Sequence, residues 1–221
     1  MREVKIAMKF SWLVVLALAC PLARSAQPTV QLSNVRDFSH LQVIEVANGP
    51  NRIDIDGDGR KDLVFSAHRS NFNAHDFEHL TFYMQDHAGA VEARATSPEK
   101  PLWNVVPFFT SKGPEFVAFD TIEGADCWLR DMVLLRDSGG SVTAVVADRE
   151  MGTSYAAKAH MLLSVYQLMH NPEGLVGSPP VYFQRIDHFS SKNPYCDADH
   201  AIAAELGVKF PHPLDDNGID H

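Results

Sequence analysis

The stretch that most constrains this chain is Asp54-Ile55-Asp56-Gly57-Asp58-Gly59-Arg60-Lys61-Asp62-Leu63-Val64. Carboxylates at its first, third, fifth and ninth positions, Asp54, Asp56, Asp58 and Asp62, can converge on one hard cation, and the backbone carbonyl of Arg60 at the seventh can add an oxygen. Calcium takes about six to eight such ligands. Gly57 and Gly59 permit the left-handed backbone that lets a loop this short turn its side chains inward. Without a cation the four carboxylates would repel one another. The alternative reading is a solvated acidic turn.

This loop is not an EF-hand. Phe65 stands at the twelfth position, where that motif keeps a bidentate Glu, and Leu63-Val64-Phe65-Ser66-Ala67 is a β-type run instead of a second helix. It is more similar to the strand-flanked Asp-rich calcium loops of FG-GAP repeats, whose pattern ends as Asp62-Leu63-Val64 does here. A single copy argues against a propeller built from repeats.

Residues 1–25 read as a secretory leader. Lys5 and Lys9 precede an apolar run over residues 10–19, and Ala23-Arg24-Ser25 fits a cleavage site before Ala26. Initiation at Met8 gives a more ordinary leader than Met1, and the run is shorter than the roughly twenty residues that span a bilayer. Cys20 faintly suggests lipid anchoring, but Ala17 stands where a lipobox prefers Leu and Pro21 follows the cysteine, so export to the periplasm or medium ranks first. Cleavage lowers the net charge from −9 to about −12, which argues against nucleic acid and anionic membrane as partners. Cys127 and Cys196 remain, and two cysteines in an exported chain most economically form one disulfide.

The rest reads as one mostly β domain over residues 26–210, an antiparallel sheet or sandwich with a short C-terminal helix, followed by a polar tail at 211–221. Strands are predicted at 41–46, 63–67, 78–84, 115–122, 127–136, 142–148 and 181–186. Asn48-Gly49-Pro50-Asn51 reads as a turn, residues 68–76 as an irregular polar connection, and 86–101 as a loop because Pro98 and Pro101 oppose an interior strand. Residues 154–167 read as a helical turn and then a strand. Asp197 is placed to cap a helix over 198–206 that Gly207 stops. Alternation is imperfect in the 127–136 strand, as expected where both faces are covered.

Signals for bond-breaking chemistry are weak. His75 and His79 with Asp76 or Glu78 offer zinc-type ligands, yet H-E-x-x-H is absent and an extended strand would hold residues four apart some 13 Å distant. Asp131 and Asp148 fall on neighbouring predicted strands and could form a carboxylate pair. Ser154 lacks the G-x-S-x-G elbow, and there is no phosphate loop or dinucleotide fingerprint. Trp128, Phe108, Phe109 and Tyr182 read as core aromatics.

Taken together, Ile53-Asp54-Ile55-Asp56-Gly57-Asp58-Gly59, Arg69-Ser70-Asn71-Phe72-Asn73-Ala74-His75, Phe82-Tyr83, Glu123-Gly124-Ala125-Asp126-Cys127 with Arg130-Asp131, and Tyr195-Cys196-Asp197 resemble the CarG-like family. These are carbapenem intrinsic-resistance proteins of Gram-negative producers, which protect the periplasm without known β-lactamase chemistry. The resemblance runs from about residue 41 to 206 and implies a non-catalytic protein that protects against or binds a carbapenem-like antibiotic. Because a carbapenem carries a carboxylate, Arg69, His75 and Arg130, with Asn71 and Asn73, are the candidate ligand-binding residues by motif position. Two readings stand beside it: an immunity or inhibitor protein that covers a periplasmic enzyme or toxin, and a metal-dependent hydrolase using the histidine-rich connection.

Overall fold

The structure, a computed structural model, describes residues 36–73, 75–85, 103–124, 126–149, 154–171, 173–174 and 176–214. The expected leader, Cys20, the expected loop at 86–101 and residues 215–221 of the expected tail lie outside them. In chain order the elements are β1 (Gln42–Ile44), β2 (Gly49–Ile53), β3 (Asp62–Ser70), β4 (His75–Gln85), β5 (Trp103–Val105), β6 (Phe108–Thr110), β7 (Gly113–Phe116), β8 (Phe119–Asp120), β9 (Ile122–Gly124), β10 (Trp128–Arg136), β11 (Val142–Arg149), β12 (Ala159–His170), β13 (Val181–Tyr195) and α1 (Ala198–Leu206).

All the strands belong to one sheet, in the order β2-β3-β4-β9-β10-β11-β12-β13-β6-β7, with β1 on β10 and both β5 and β8 on β4. Pairing is antiparallel except between β13 and β6, where Phe183 lies beside Phe108 in parallel register. The end strands β2 and β7 carry Pro50 and Pro114. Short β9 pairs with β4 at His75 and Asp76 and with β10 at Trp128 and Arg130, so the sheet turns a corner there. The two runs on either side share one core: Val64, Leu80, Phe82 and Met84 from the first meet Met132, Leu134, Ala144, Val146 and Tyr166 from the second. Phe108 sits fully buried at the centre, its ring against Phe82, Phe116, Tyr166 and Phe183.

A second core lies on the other face of β10 to β12. There Ala198, Ala201, Ile202 and Leu206 of α1 cover Val133, Leu135, Val145, Ala147, Met161 and Leu163. The blurred alternation of β10 thus has a physical cause, since Met132 and Leu134 face the first core while Val133 and Leu135 face the second. Cys127 and Cys196 form the expected disulfide, fastening the residue before β10 to the chain two residues before α1. Gly207 ends α1 at a left-handed φ of 71°.

Several local expectations are corrected. The polar connection at 68–76 shrinks to residues 71–74, because β3 runs on to Ser70 and β4 begins at His75. The strand expected over 115–122 breaks into β7, β8 and β9. The turn expected at Asn48 to Asn51 enters β2, and Asn51 instead uses its side-chain amide to bond Ala47 and Gly49 carbonyls. Strand β13 extends far beyond residue 186 because β12 pairs with it to Tyr195. Asp197 does not cap α1 through its side chain; its Oδ1 accepts the Trp128 N–H at 2.7 Å, tying helix entry to β10.

Candidate functional site

The acidic loop joins β2 to β3 and is shaped by its own carboxylates. Asp54 accepts the Gly57 and Gly59 N–H groups at 2.8 and 3.0 Å, Asp56 accepts Asp58 N–H at 3.1 Å, and Asp58 accepts Arg60 N–H at 2.7 Å. These bonds need Gly57 at φ 78° and turn Asp54, Asp56 and Asp58 toward one another, with one ligand oxygen from each lying within 4.8 Å of the others. Oxygens held by one calcium ion at about 2.3–2.6 Å can be no more than about 5 Å apart, so this trio has the span the ion requires.

Asp62, the fourth predicted ligand, is buried, and its Oδ2 accepts the Ile55 N–H at 3.0 Å, closing the loop where β3 begins. Burial pushes its carboxyl up to about 6, and the Asp56, Asp58 and Asp54 charges add to that effect. The Arg60 guanidinium lies 3.9 Å from Asp58. The loop also grips the opposite run of the sheet. Arg136 donates to the Asp54 carbonyl at 2.7 Å, and Gly57 packs on Gly140 in the β10–β11 turn, where an added Cβ would stand 3.4 Å from backbone.

The five candidate ligand-binding residues divide between two places. Arg69, Asn71 and Asn73 are exposed at or beside the β3–β4 tip, where Arg69 lies over the Phe77 ring at 4.3 Å and Asn73 accepts the His75 N–H. His75 stacks obliquely on Tyr155 with ring centres 5.5 Å apart. Arg130, on β10, is occupied elsewhere: it lies 3.4 Å from Asp148 and 4.5 Å above the Phe119 ring. No hydrogen bond, ion pair or ring contact joins Arg130 to the tip among the described residues. His75 and His79 both lie on extended β4, and His79 bonds Asp120 at 2.8 Å.

Sequence reasoning missed a cavity of about 410 Å³ between β1, β4, β9, β10 and α1. Its acidic wall is Glu78, Glu123, Asp131 and Asp199, and its apolar wall includes Val43, Leu80, Phe82, Trp128, Met132 and Phe210. Asp131 and Asp148 do not pair, because Asp148 stands opposite Arg130 in the register and Asp131 opposite Ala147. Burial first, and then the neighbouring Asp199 carboxyl, push Asp131 well above the usual carboxylate range. Glu123 is raised too, chiefly by burial. A signal for Glu78 was present: it shares the inward parity of Leu80, Phe82 and Met84 on β4, an acid on the apolar side of an alternating strand.

The model of the family described as "Carbapenem resistance protein CarG-like" matches residues 46–204. The chain belongs to the CarG-like family. The match contains the acidic loop, the β3–β4 tip, strands β4, β9 and β10 of the cavity and both disulfide cysteines, while β1 lies just before it. The crystal structure of CarG superposes with a TM-score of 0.57 at 21% sequence identity, covering 75% of this chain and 99% of that one, a likeness of fold. Among curated proteins no sequence matches. No helix among the described residues of this CarG-like protein is long and apolar enough to cross a membrane.

Proposed function

We propose that this protein is exported, that it is not a catalyst, and that it protects the periplasm against a carbapenem-like β-lactam. The observation that carries this reading is the match to a carbapenem-resistance family over residues 46–204. The apolar, lysine-preceded leader pattern and the Cys127–Cys196 disulfide fit an oxidising, exported setting. Expression of the full chain in a carbapenem-sensitive Gram-negative strain should raise the antibiotic concentration that stops growth, without faster loss of the β-lactam ring in periplasmic extracts. No gain in tolerance would defeat the proposal, and accelerated ring loss would turn it toward the hydrolase reading. If the antibiotic is held through its carboxylate, Arg69→Ala with Arg130→Ala should weaken binding; the engagement of Arg130 by Asp148 makes the tip residues Arg69, Asn71, Asn73 and His75 the stronger part of that set.

In the same reading the acidic loop holds a divalent cation, calcium, and zinc at the His75–His79 connection ranks behind it. Asp54, Asp56 and Asp58 supply hard oxygens with the required spread, and the ion would offset the repulsion among them. An ion that binds the folded loop and not the open chain stabilises by mass action. Calcium should therefore raise the melting temperature progressively, and Asp56→Ala should blunt that response while changing the calcium-free protein little.

A second reading, a cover for a periplasmic enzyme or toxin, is favoured by Phe72. At the tip of the β3–β4 hairpin it is 99% exposed with φ at 55°, an aromatic presented to solvent on a backbone its residue type rarely adopts. Loss of protection in Phe72→Ser with antibiotic binding unchanged would support it.

A further inference from the structure

We propose that the cavity between β1, β4, β9, β10 and α1 binds a small organic cation, a protonated amine or quaternary ammonium on a short apolar body. This goes beyond the protective reading, since a carbapenem carboxylate would be repelled there.

The cavity arises from a gap in pairing. One edge of β10 is taken from Arg130 to Arg136 by β11, while the other is paired with β9 at Trp128 and Arg130 and with β1 from Leu134 to Arg136. Between those two neighbours the edge is open at Asp131 to Val133, and the Met132 N–H is satisfied by the side chain of Asp131, which accepts it at 2.6 Å. The space left is also lined by Glu78, Leu80 and Phe82 of β4 and by Thr121 and Glu123.

Its chemistry has one sign. Glu78, Glu123, Asp131 and Asp199 line it, and among the described residues no Lys, Arg or His does. The acids are held in place: Thr121 accepts the Glu78 N–H at 2.7 Å and donates to Glu123 Oε1 at 3.0 Å, while Ser66 donates to Glu78 Oε2 at 2.5 Å. Each hydroxyl engages one oxygen of its carboxylate, which leaves the other for a guest. Carboxylates this enclosed cost free energy unless a counter-charge reaches them, and the raised Asp131 and Glu123 agree with that.

The shape argues for an organic guest over a bare metal ion. A metal needs several oxygens within about 5 Å of one another, and among the described residues the acidic trio meeting that spacing is in the Asp54 loop, not here. Half of this wall is Val43, Ile44, Val46, Leu80, Phe82, Met132, Leu134 and similar side chains, which suit a hydrocarbon body, and Trp128 adds an aromatic residue of the kind that attracts an ammonium group.

The test is calorimetric titration of the full mature chain, with calcium present to saturate the loop, using n-butylammonium and the neutral n-butanol as probes. Saturable binding of n-butylammonium, with n-butanol at least tenfold weaker, is expected. Glu123→Gln keeps an acceptor for the Thr121 hydroxyl and should weaken the amine tenfold or more without changing the alcohol. Equal binding of the two probes, no saturable heat with the amine, or loss of the amine response in Asp56→Ala but not Glu123→Gln would each overturn the proposal. The comparison of probes on the unaltered protein stands even if a variant fails to fold.

Discussion

At the scale of single residues, the informative groups are acids placed where water is scarce. Asp131 spends one oxygen on the Met132 N–H and shares its other side with Asp199, so ionising it means charging a site with a second carboxyl already present. A carboxyl raised in the folded state binds its proton more tightly there than in the open chain, and stability then falls as pH rises from the ordinary Asp range to the raised value. Asp131→Asn, which cannot ionise, should therefore melt higher than the parent protein above neutrality and lose that advantage near pH 4. A melting difference that stays constant with pH would mean that the residue acts by packing alone. Sequence spacing pointed to Asp54, Asp56 and Asp58 because loop ligands are neighbours in the chain, whereas the Asp131 and Asp199 pair joins β10 to α1 and leaves no local mark.

At the scale of elements, legibility followed how far local pattern agreed with tertiary contact. Strands β3, β4, β10 and β11 were readable because apolar side chains alternate or run unbroken in them. The second half of β13 was not: the predicted strand stops at Ile186, short of the polar run Ser190 to Pro194, yet β12 pairs with Ser190, Pro194 and Tyr195 across a register shift, and the buried Ser191 hydroxyl accepts the Met161 N–H at 2.9 Å. The stop of α1 at Gly207 was readable from residue type, and its surroundings now explain it. A Cβ there would sit 3.2 Å from Asp37 Oδ1 and would be forced to a positive φ. Gly207→Ala should cost about 1 kcal/mol or more in urea unfolding. A neutral result would show that the 37–39 segment gives way freely.

At the scale of the whole molecule, the mostly β class, the helix and the disulfide were readable from sequence. The folding of the sheet over one core was not, since the corner at β9 and the parallel seam between β6 and β13 join residues distant in the chain. The disulfide closes a span of 69 residues, and restricting an open chain over that length is worth about 4 kcal/mol in the entropic model. Cys127→Ser with Cys196→Ser should lower unfolding stability by about that amount, and the reducing agent that does the same to the parent should leave the double variant unmoved. Arg149 adds a second, uncharged-partner fastening, its guanidinium donating to the carbonyls of Ser154, Tyr155 and Ala157.

Pro50 and Pro114 bring a last consequence. Each border of the sheet presents at one position a backbone nitrogen with no hydrogen to offer, so an incoming ribbon from another copy cannot zip onto either rim in continuous register. Copies of this chain are thereby kept from growing into fibres along their own borders.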